Sequence, residues 1–202
     1  MLALVLDTST PAVSAGLVRV AATTEVLAER VVVDGRRHGE LLAVGMREVL
    51  MAGTPDVVVV GVGPGPFTGL RVGIMSAAAF GSARGIPVLG VCSLDGLAAP
   101  DTVVVTDARR KEVYWAVYDG EGLRVDGPHV TAPSLAVQAI SGRRVVGDGA
   151  VLYGFATAHE PRYPSLALLA QAAARQDPLP LTPLYLRRPD AVEPGAAKKV
   201  TA

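Results

Sequence analysis

The sequence predicts an α/β fold built from two similar lobes, and three observations lead to this prediction. Half of the 202 residues are hydrophobic and 19% are charged, as in globular chains that bury a sizeable core. Residues 57–91 read as strand, helix and strand, which indicates a βαβ unit with parallel strands. An apolar strand that ends in aspartate before a polar turn occurs twice, at Asp7 and at Asp107. We interpret this recurrence as a weak internal duplication with one lobe per copy.

The first lobe begins with three predicted strands that follow one another as a meander. They cover residues 2–7, 12–20 and 24–33, which are rich in β-branched residues and separated by turn-forming segments. An amphipathic helix of about four turns follows at 38–53 and is closed by Gly53. It carries apolar residues at helical spacing: Leu41, Leu42, Met46, Val49 and Leu50.

A glycine-rich loop, "GVGPGPFTGLRVG" at 61–73, connects a fully apolar strand to the second helix. It lacks the lysine of a Walker A loop, and Pro66 stands where the dinucleotide fingerprint needs glycine. Thr68 is predicted to cap the helix, whose free N–H groups are able to bind an anion. Most such turns bind none, so we interpret Gly63 and Gly65 mainly as residues that permit tight turns.

The second predicted helix, residues 68–84, is rich in small residues that let another backbone approach closely. They are Gly73, Ala77, Ala78, Ala79 and Gly81. A buried helix beneath the sheet explains some of this pattern. The two helices together could equally pack as a pair against a partner's pair, so core and interface both stay open.

The second lobe repeats the strand, aspartate turn and strand pattern at 102–118. A strand then ends in a Gly-Asp-Gly loop at 147–149, and a helix is predicted over 164–176. The chain beyond Pro178 is punctuated by prolines. We expect an N-terminal lobe at 1–98, a smaller C-terminal lobe at 99–190 and a disordered tail at 191–202.

Charge and composition bear on partners and location. The formal net charge is zero, and we interpret the basic doublets as solvent-exposed faces, because nucleic-acid binders usually show a basic excess. Cys92 stands alone, which excludes a disulfide framework. No apolar run spans a bilayer and the N terminus lacks a basic leader, so we expect a cytoplasmic protein without a membrane.

The sequence offers little metal or nucleophile chemistry. His38, His129 and His159 lie far apart, and "HEPRY" at 159–163 lacks the second histidine of a zinc-protease helix. Asp7, Asp107 and Asp148 could gather around a metal–nucleotide complex, but each is equally explained as a turn residue that bonds its own backbone.

Two lobes that each begin with a strand ending in aspartate point to the actin-like ATPase architecture. In that architecture the two aspartates usually face nucleotide phosphate or its metal. The candidate nucleotide or phosphate contacts are therefore Asp7, Thr8, Ser9, Gly63, Gly65 and Asp107.

Over most of its length the chain resembles the bacterial TsaB (YeaZ) family. The resemblance is carried by "LALVLDTST", "VGPGPFTGLRVG", "IPVLGVCSLDGLA", "TDARRKEVYWAVY" and "PLYLRR". It implies an actin-like fold and a role in the threonylcarbamoyl modification of adenosine 37, in tRNAs that read codons starting with A. Where the family usually has serine after Gly-Pro-Gly, this chain has Pro66, so no hydroxyl–phosphate contact is inferred there.

The family's catalytic relative, TsaD, holds its metal with two histidines four residues apart. The matching positions here are Ser93 and Leu97, which cannot chelate a metal. The resemblance therefore implies a non-catalytic subunit, without a metal or a cofactor of its own.

The resemblance also implies the partners. The chain would dock onto TsaD through helices at about 37–51 and 69–84, with the ATPase TsaE joining the assembly and tRNA reached only through it. ATP or ADP could lie at the assembled interface, and the chain alone could form a homodimer. The candidate interface residues are Leu41, Leu42, Met46, Val49, Arg71, Met75, Ala78 and Ala79.

Two other functions stay open at this stage. One is an independent ATP-dependent phosphotransferase, in which Asp7 and Asp107 would flank magnesium–ATP. The other is a self-associating scaffold with no tRNA role, which would use the same helices for a homodimer.

Overall fold

The computed structural model describes residues 1–140, 142–155 and 163–187, which form two β-sheets with helices packed against them. The first sheet has the strand order β3-β2-β1-β4-β5. Its strands are β1 (Leu2–Asp7), β2 (Ala12–Val20), β3 (Thr24–Val33), β4 (Val57–Gly61) and β5 (Val88–Val91). β1 to β3 pair in antiparallel fashion, whereas β1, β4 and β5 are parallel. The predicted meander and the predicted βαβ unit are confirmed.

Helices cover both faces of the first sheet, which is why β1 and β4 are apolar throughout. Helices α1 (His38–Val49) and α2 (Phe67–Arg84) pack over one face, where Leu4, Leu6 and Val60 belong to one hydrophobic cluster. The opposite face, with Val5 and Val59, is covered by a helix from the second half of the chain, Leu166–Arg175.

The second sheet has the order β8-β7-β6-β9 and repeats the hairpin of the first. Its strands are β6 (Thr102–Asp107), β7 (Val113–Tyr118), β8 (Arg124–Thr131) and β9 (Arg144–Val146). β6 is antiparallel to β7 and parallel to β9, as β1 is to β2 and β4. Helix α3 (Pro133–Ile140) and helix α4 (Asp148–Leu152) pack on this sheet, so Leu166–Arg175 is α5.

Several element ends differ from the sequence-based prediction. Helix α2 begins at Phe67 with Pro66 at the N-cap position and no side-chain cap, so the prediction of Thr68 as the cap is wrong. Pro66 has an extended backbone and fixes the entry one residue earlier. Helix α1 ends at Val49 and a 3-10 turn continues to Ala52. The Gly-Asp-Gly segment, predicted as a loop, forms the start of a helix: Gly147 is the N-cap residue of α4, and Asp148 is its first residue.

The last described residues form a segment that we call the C-terminal strap, residues 179–187. The N–H of Leu179 donates to the Gly90 carbonyl at 2.8 Å, and that of Leu184 donates to the Val62 carbonyl at 2.8 Å. Arg187 then reaches the second lobe, where its guanidinium donates to the Ala108 carbonyl at 3.0 Å. Because α5 and this strap return to the first sheet, a division at residue 98 does not separate two independent cores.

Within the described ranges, no helix is both long and apolar enough to cross a membrane. His159 and the predicted disordered tail at 191–202 lie outside the described residues.

Candidate functional site

A cleft of about 830 Å³ lies between the two lobes and is the candidate site. Its first-lobe wall consists of the β1–β2 turn, the loop before α1 and the first turns of α2. Its second-lobe wall is the β6–β7 turn, and the C-terminal strap adds Tyr185 and Arg187. Volumes of about 300–1,000 Å³ are typical of small-ligand sites.

Asp7, at the end of β1, is buried and does not line this cleft. Its Oδ1 accepts hydrogen bonds from the Ser9 N–H at 3.0 Å and the Ser9 hydroxyl at 2.7 Å. Its Oδ2 accepts from the Ser93 hydroxyl at 2.7 Å. Burial raises the pKa of Asp7, and the bonds from Ser93 and Ser9 partly oppose this. Both carboxylate oxygens are therefore engaged inside the first lobe.

The neighbouring predicted phosphate contacts are also occupied. The Thr8 hydroxyl donates to the Gly69 carbonyl at 2.7 Å, which ties the β1–β2 turn to α2. The N–H of Gly63, which has a φ of 105°, donates to the Ser93 hydroxyl at 3.1 Å.

Of the six predicted contacts, only Gly65 and Asp107 line the cleft. Asp7, Thr8, Ser9 and Gly63 do not line the cleft, and their hydrogen bonds hold the β1–β2 turn and the start of α2 together.

Ser93 and Leu97, which the resemblance matches to the two metal-binding histidines of TsaD, are both buried. The Ser93 hydroxyl bridges Asp7 and the Gly63 N–H, and Leu97 packs in the core beneath the second sheet. Among the residues that the structure describes, no group of three or more His, Cys, Asp or Glu side chains could hold a metal ion.

Asp107, at the end of β6, organises the β6–β7 turn. Its Oδ1 accepts from the Arg109 N–H at 2.9 Å and from the Tyr153 hydroxyl at 3.3 Å. Its own N–H donates to Asp148 Oδ1 at 3.2 Å. Burial raises the pKa of Asp148. Asp107 and Asp148 are therefore neighbours, whereas the side chain of Asp7 is bonded to Ser9 and Ser93.

The β6–β7 turn has an unusual backbone. Arg109, Arg110 and Lys111 follow one another with φ values of 64°, 52° and 62°, the left-handed region that non-glycine residues rarely adopt. Arg187 of the strap holds this turn, because its guanidinium donates to the carbonyls of Ala108 and Arg109 and pairs with Glu112. Strain of this kind persists only where surrounding contacts fix it.

Arginine side chains dominate the charge of the cleft. Arg36, Arg109, Arg110 and Arg187 line it, and Asp107 is the one carboxylate among its described lining residues. Sequence reasoning missed this set, because it treated the basic doublets as solvent-exposed faces. The available signal was their position, since these arginines lie in turns at the strand ends that face the cleft.

An aromatic pair stands at the mouth of the cleft. The rings of Phe67 and Tyr185 stack with centroids 5.1 Å apart, and both are partly exposed. The Arg71 guanidinium lies 3.8 Å from the Phe67 ring centroid, and its Nε donates to the Tyr185 hydroxyl at 3.1 Å. The pair therefore joins the start of α2 to the C-terminal strap.

The predicted interface residues divide into two groups. Leu42, with no exposed surface, and Val49 lie in the core of the first lobe, so their assignment to an interface is corrected. The reason is that α1 turns them toward the sheet. The others remain at or near the surface: Arg71, Met75 and Ala79 are exposed, and Leu41, Met46 and Ala78 are partly buried.

The fold and the site together define a class of protein. Two lobes that each begin with a strand ending in aspartate make this an actin-like ATPase fold, in which the first aspartate is bonded to Ser9 and Ser93. Comparisons with known proteins narrow the class. The family model for TsaD, tRNA N6-adenosine threonylcarbamoyltransferase, matches residues 32–137.

The relatives agree with this assignment. The structure of YeaZ from Pseudomonas aeruginosa is 25% identical, covers 92% of this chain and 100% of its own, and superimposes with a TM-score of 0.76. A Pseudomonas aeruginosa protein described as similar to peptidase YeaZ is 26% identical over 92% of this chain and 99% of its own, with a TM-score of 0.74. An uncharacterized Mycobacterium tuberculosis (strain H37Rv) protein is 50% identical over 93% of this chain and 92% of its own. The chain belongs to the TsaB (YeaZ) branch of this domain family.

Proposed function

We propose that this chain is a non-catalytic accessory subunit of the assembly that adds threonylcarbamoyl to N6 of adenosine 37 in tRNAs reading codons that start with A. It acts by binding TsaD and supporting TsaD's competent conformation. Family membership supports the link to this tRNA modification, and the interior of the first lobe supports the accessory role.

The observation that carries the proposal is the contact between Ser93 and Asp7. In TsaD a histidine is expected at the position of Ser93, whereas here the serine hydroxyl donates to Asp7 Oδ2 and accepts from the Gly63 N–H. A metal bound there would have to displace these buried hydrogen bonds, which is costly without replacement partners. The hydrogen bonds of Ser93 and Asp7 therefore favour a role in complex assembly over metal-dependent catalysis at this position.

The outer face of α2 is the surface that fits TsaD binding. Met75 is 65% exposed, with Arg71 and Ala79 exposed one turn to either side. Methionine adapts to a partner surface, and alanine lets another helix approach closely. TsaE joins the same assembly, and the chain contacts tRNA only through that assembly. When TsaD is absent, the same face of α2 pairs two copies of the chain in a homodimer.

The test is complementation in a host depleted of this protein, with threonylcarbamoyladenosine in bulk tRNA measured by mass spectrometry. The wild-type chain should restore the nucleoside, and Met75→Glu should not. Leu135→Glu is the matched control, because Leu135 is 62% exposed on α3 of the second lobe. Unchanged nucleoside levels after depletion would contradict the proposal.

Size analysis of the purified chains with TsaD completes the test. Met75→Glu should fail to co-elute with TsaD, whereas Leu135→Glu should co-elute as the wild type does. A homodimer that TsaD cannot dissolve would support the scaffold hypothesis instead. ATP turnover that Asp7→Asn abolishes would support the phosphotransferase hypothesis.

A further inference from the structure

We propose that a basic rim on this chain binds the sugar–phosphate backbone of tRNA within the assembly through which the chain reaches tRNA. The basic rim consists of two exposed turns at the edge of the cleft, with Arg36 and Arg37 in the first lobe and Arg109, Arg110 and Lys111 in the second. This binding rests on the proposed function, because TsaD supplies the other contacts to the same RNA. Backbone contacts position a nucleic acid without reading its sequence.

The first support is the concentration of positive charge in the basic rim. Its five side chains are exposed cations, although the whole chain has zero net charge. Its two turns are far apart in the sequence, yet Arg36 and Arg109 line the same cleft. A chain without a basic excess does not hold RNA strongly alone, because phosphate contacts supply much of the affinity. A few cations placed together are enough to add to the contacts of a second protein.

The carboxylates beside the basic rim leave its guanidinium groups able to bind phosphate. Arg37 Nε donates to Asp34 Oδ2 at 2.9 Å, and the Arg109 guanidinium lies 3.5 Å from Asp107 Oδ2. The side chains of Arg37 and Arg109 are 59% and 68% exposed, so both ion pairs are weak. A guanidinium has five N–H donors and matches phosphate oxygens in a bidentate geometry. Phosphate is therefore a good partner for these arginines.

Both turns of the basic rim have a fixed backbone. In the first turn, Asp34 Oδ1 accepts a hydrogen bond from the Arg36 N–H at 3.0 Å. In the second turn, Arg187 of the C-terminal strap donates to the Arg109 carbonyl at 3.3 Å, and residues 109–111 keep their left-handed conformations. A fixed backbone presents the cations at a set spacing, which lowers the entropy cost of binding an extended ligand.

The surroundings of the basic rim favour RNA as its partner. Phe67 and Tyr185 line the same cleft and are 46% and 41% exposed, so they offer rings on which an unpaired base stacks. Phe67 begins α2, and Arg71 and Met75 follow at intervals of four residues along the face that we propose binds TsaD. The basic rim is therefore continuous with that face, so an RNA bound to TsaD beside it also reaches the rim.

The test measures tRNA binding to the complex of this chain with TsaD by fluorescence anisotropy, over a range of salt concentrations. The double variant Arg36→Ala with Lys111→Ala removes one cation from each turn. We expect it to weaken tRNA binding about tenfold, because each cation contributes a charged hydrogen bond to phosphate. The plot of log affinity against log salt concentration should become shallower by about 1.5, because each lost phosphate contact lowers its slope by about 0.7–0.9.

The matched control is the double variant Arg19→Ala with Arg143→Ala. It removes the same amount of charge from exposed positions that do not line the cleft. Arg19 lies opposite Leu2 at the start of β1, and Arg143 precedes β9, whose first residue lies opposite Thr102 at the start of β6. Both arginines are therefore at the ends of their sheets away from the β1–β2 and β6–β7 turns. Affinity for tRNA and its salt dependence should equal those of the wild-type complex.

Co-elution with TsaD separates the RNA contact from the accessory role. Thermal melts identify any variant that fails to fold, and the Arg36→Ala, Lys111→Ala chain should co-elute with TsaD as the wild type does. Absence of a complex between the wild-type chain and TsaD would overturn both proposals.

Three results would overturn the RNA contact alone. The first is an effect of the rim variant on tRNA affinity no larger than that of the control. The second is a loss of affinity without a change in the salt slope. The third is a rim variant that folds but no longer co-elutes with TsaD, which would show that the rim binds an acidic surface of TsaD.

Discussion

Replacing Ser93 by alanine tests how much the buried hydrogen bonds between Ser93, Asp7 and Gly63 stabilise the first lobe. The substitution removes one hydroxyl that donates to Asp7 Oδ2 at 2.7 Å and accepts from the Gly63 N–H at 3.1 Å. All of these groups are buried. A buried donor left without an acceptor costs about 1–3 kcal/mol, and a carboxylate oxygen costs more. We expect the free energy of unfolding to fall by about 2–5 kcal/mol.

The same substitution should make the loss depend on pH. Burial raises the pKa of Asp7, so the folded chain holds the Asp7 proton more tightly than the unfolded chain does. The stability that this proton contributes is fully present below the unfolded pKa and is lost as the pH rises through the folded pKa. The Ser93 hydrogen bond lowers the pKa of Asp7, so Ser93→Ala raises it further. The loss of stability should therefore be larger near pH 7 than near pH 4, where more of Asp7 is neutral.

Urea denaturation followed by circular dichroism at about pH 4 and about pH 7 measures both effects. The double variant Asp7→Asn with Ser93→Ala is the control, and its stability relative to Asp7→Asn alone should not depend on pH between these values. An equal loss for Ser93→Ala at both pH values would refute the role given to the Asp7 carboxylate. A loss below about 0.5 kcal/mol would refute the whole account of this contact.

Three further predictions follow from burial and pairing. Leu42→Ala should lower the free energy of unfolding by about 2–5 kcal/mol, because Leu42 is fully buried. Met75→Ala should change it by less than about 0.5 kcal/mol, because Met75 is exposed. Urea denaturation compares the two variants, and similar losses would contradict the helix faces assigned to these residues. Burial raises the pKa of the Cys92 thiol to about 12, so iodoacetamide at about pH 8 should label Cys92 only after denaturation; rapid labelling of the native chain, seen by intact-mass spectrometry, would contradict this. Arg124→Ala should cost about 3–5 kcal/mol in thermal or urea unfolding, because it removes the charged partner of the buried Asp95. Within the described part of the chain, the Tyr118 hydroxyl is then the remaining side-chain donor to Asp95. A loss near zero would show that Asp95 does not need the pair.

The elements with a strong apolar pattern could be predicted from the sequence. β1 to β3, β4, the two first-lobe helices and α5 all combine apolar runs or helical spacing with clear turn signals. The sequence does not predict β8 or α3, because Arg124–Thr131 mixes polar and apolar residues without regular alternation and α3 has only eight residues. Tertiary pairing with β7 and packing on the second sheet decide those segments.

The facing of α1 could not be predicted from spacing alone. Leu41, Leu42, Met46 and Val49 lie in one broad apolar stripe of the helix. The position of the sheet decides that Leu42 and Val49 are buried whereas Leu41 and Met46 are partly exposed. The cleft is a stronger case, because Arg36, Arg109 and Arg187 are far apart in the chain and meet only through the fold. The sequence predicts that Asp7 and Asp107 end strands, but their hydrogen-bond partners depend on three-dimensional contacts.

The return of α5 and the C-terminal strap to the first sheet has a consequence for synthesis in the cell. β1, β2 and β4 leave the ribosome early, yet one face of their sheet packs against α5, which is synthesised much later. The strap then adds the Leu184 hydrogen bond to Val62 beside β4. Independent N-terminal domains complete their cores while the rest of the chain is still being synthesised. The first lobe cannot do so, because part of its core comes from α5. Until α5, which ends at Arg175, has left the ribosome, the apolar face that it will cover is exposed to chaperones and to other nascent chains.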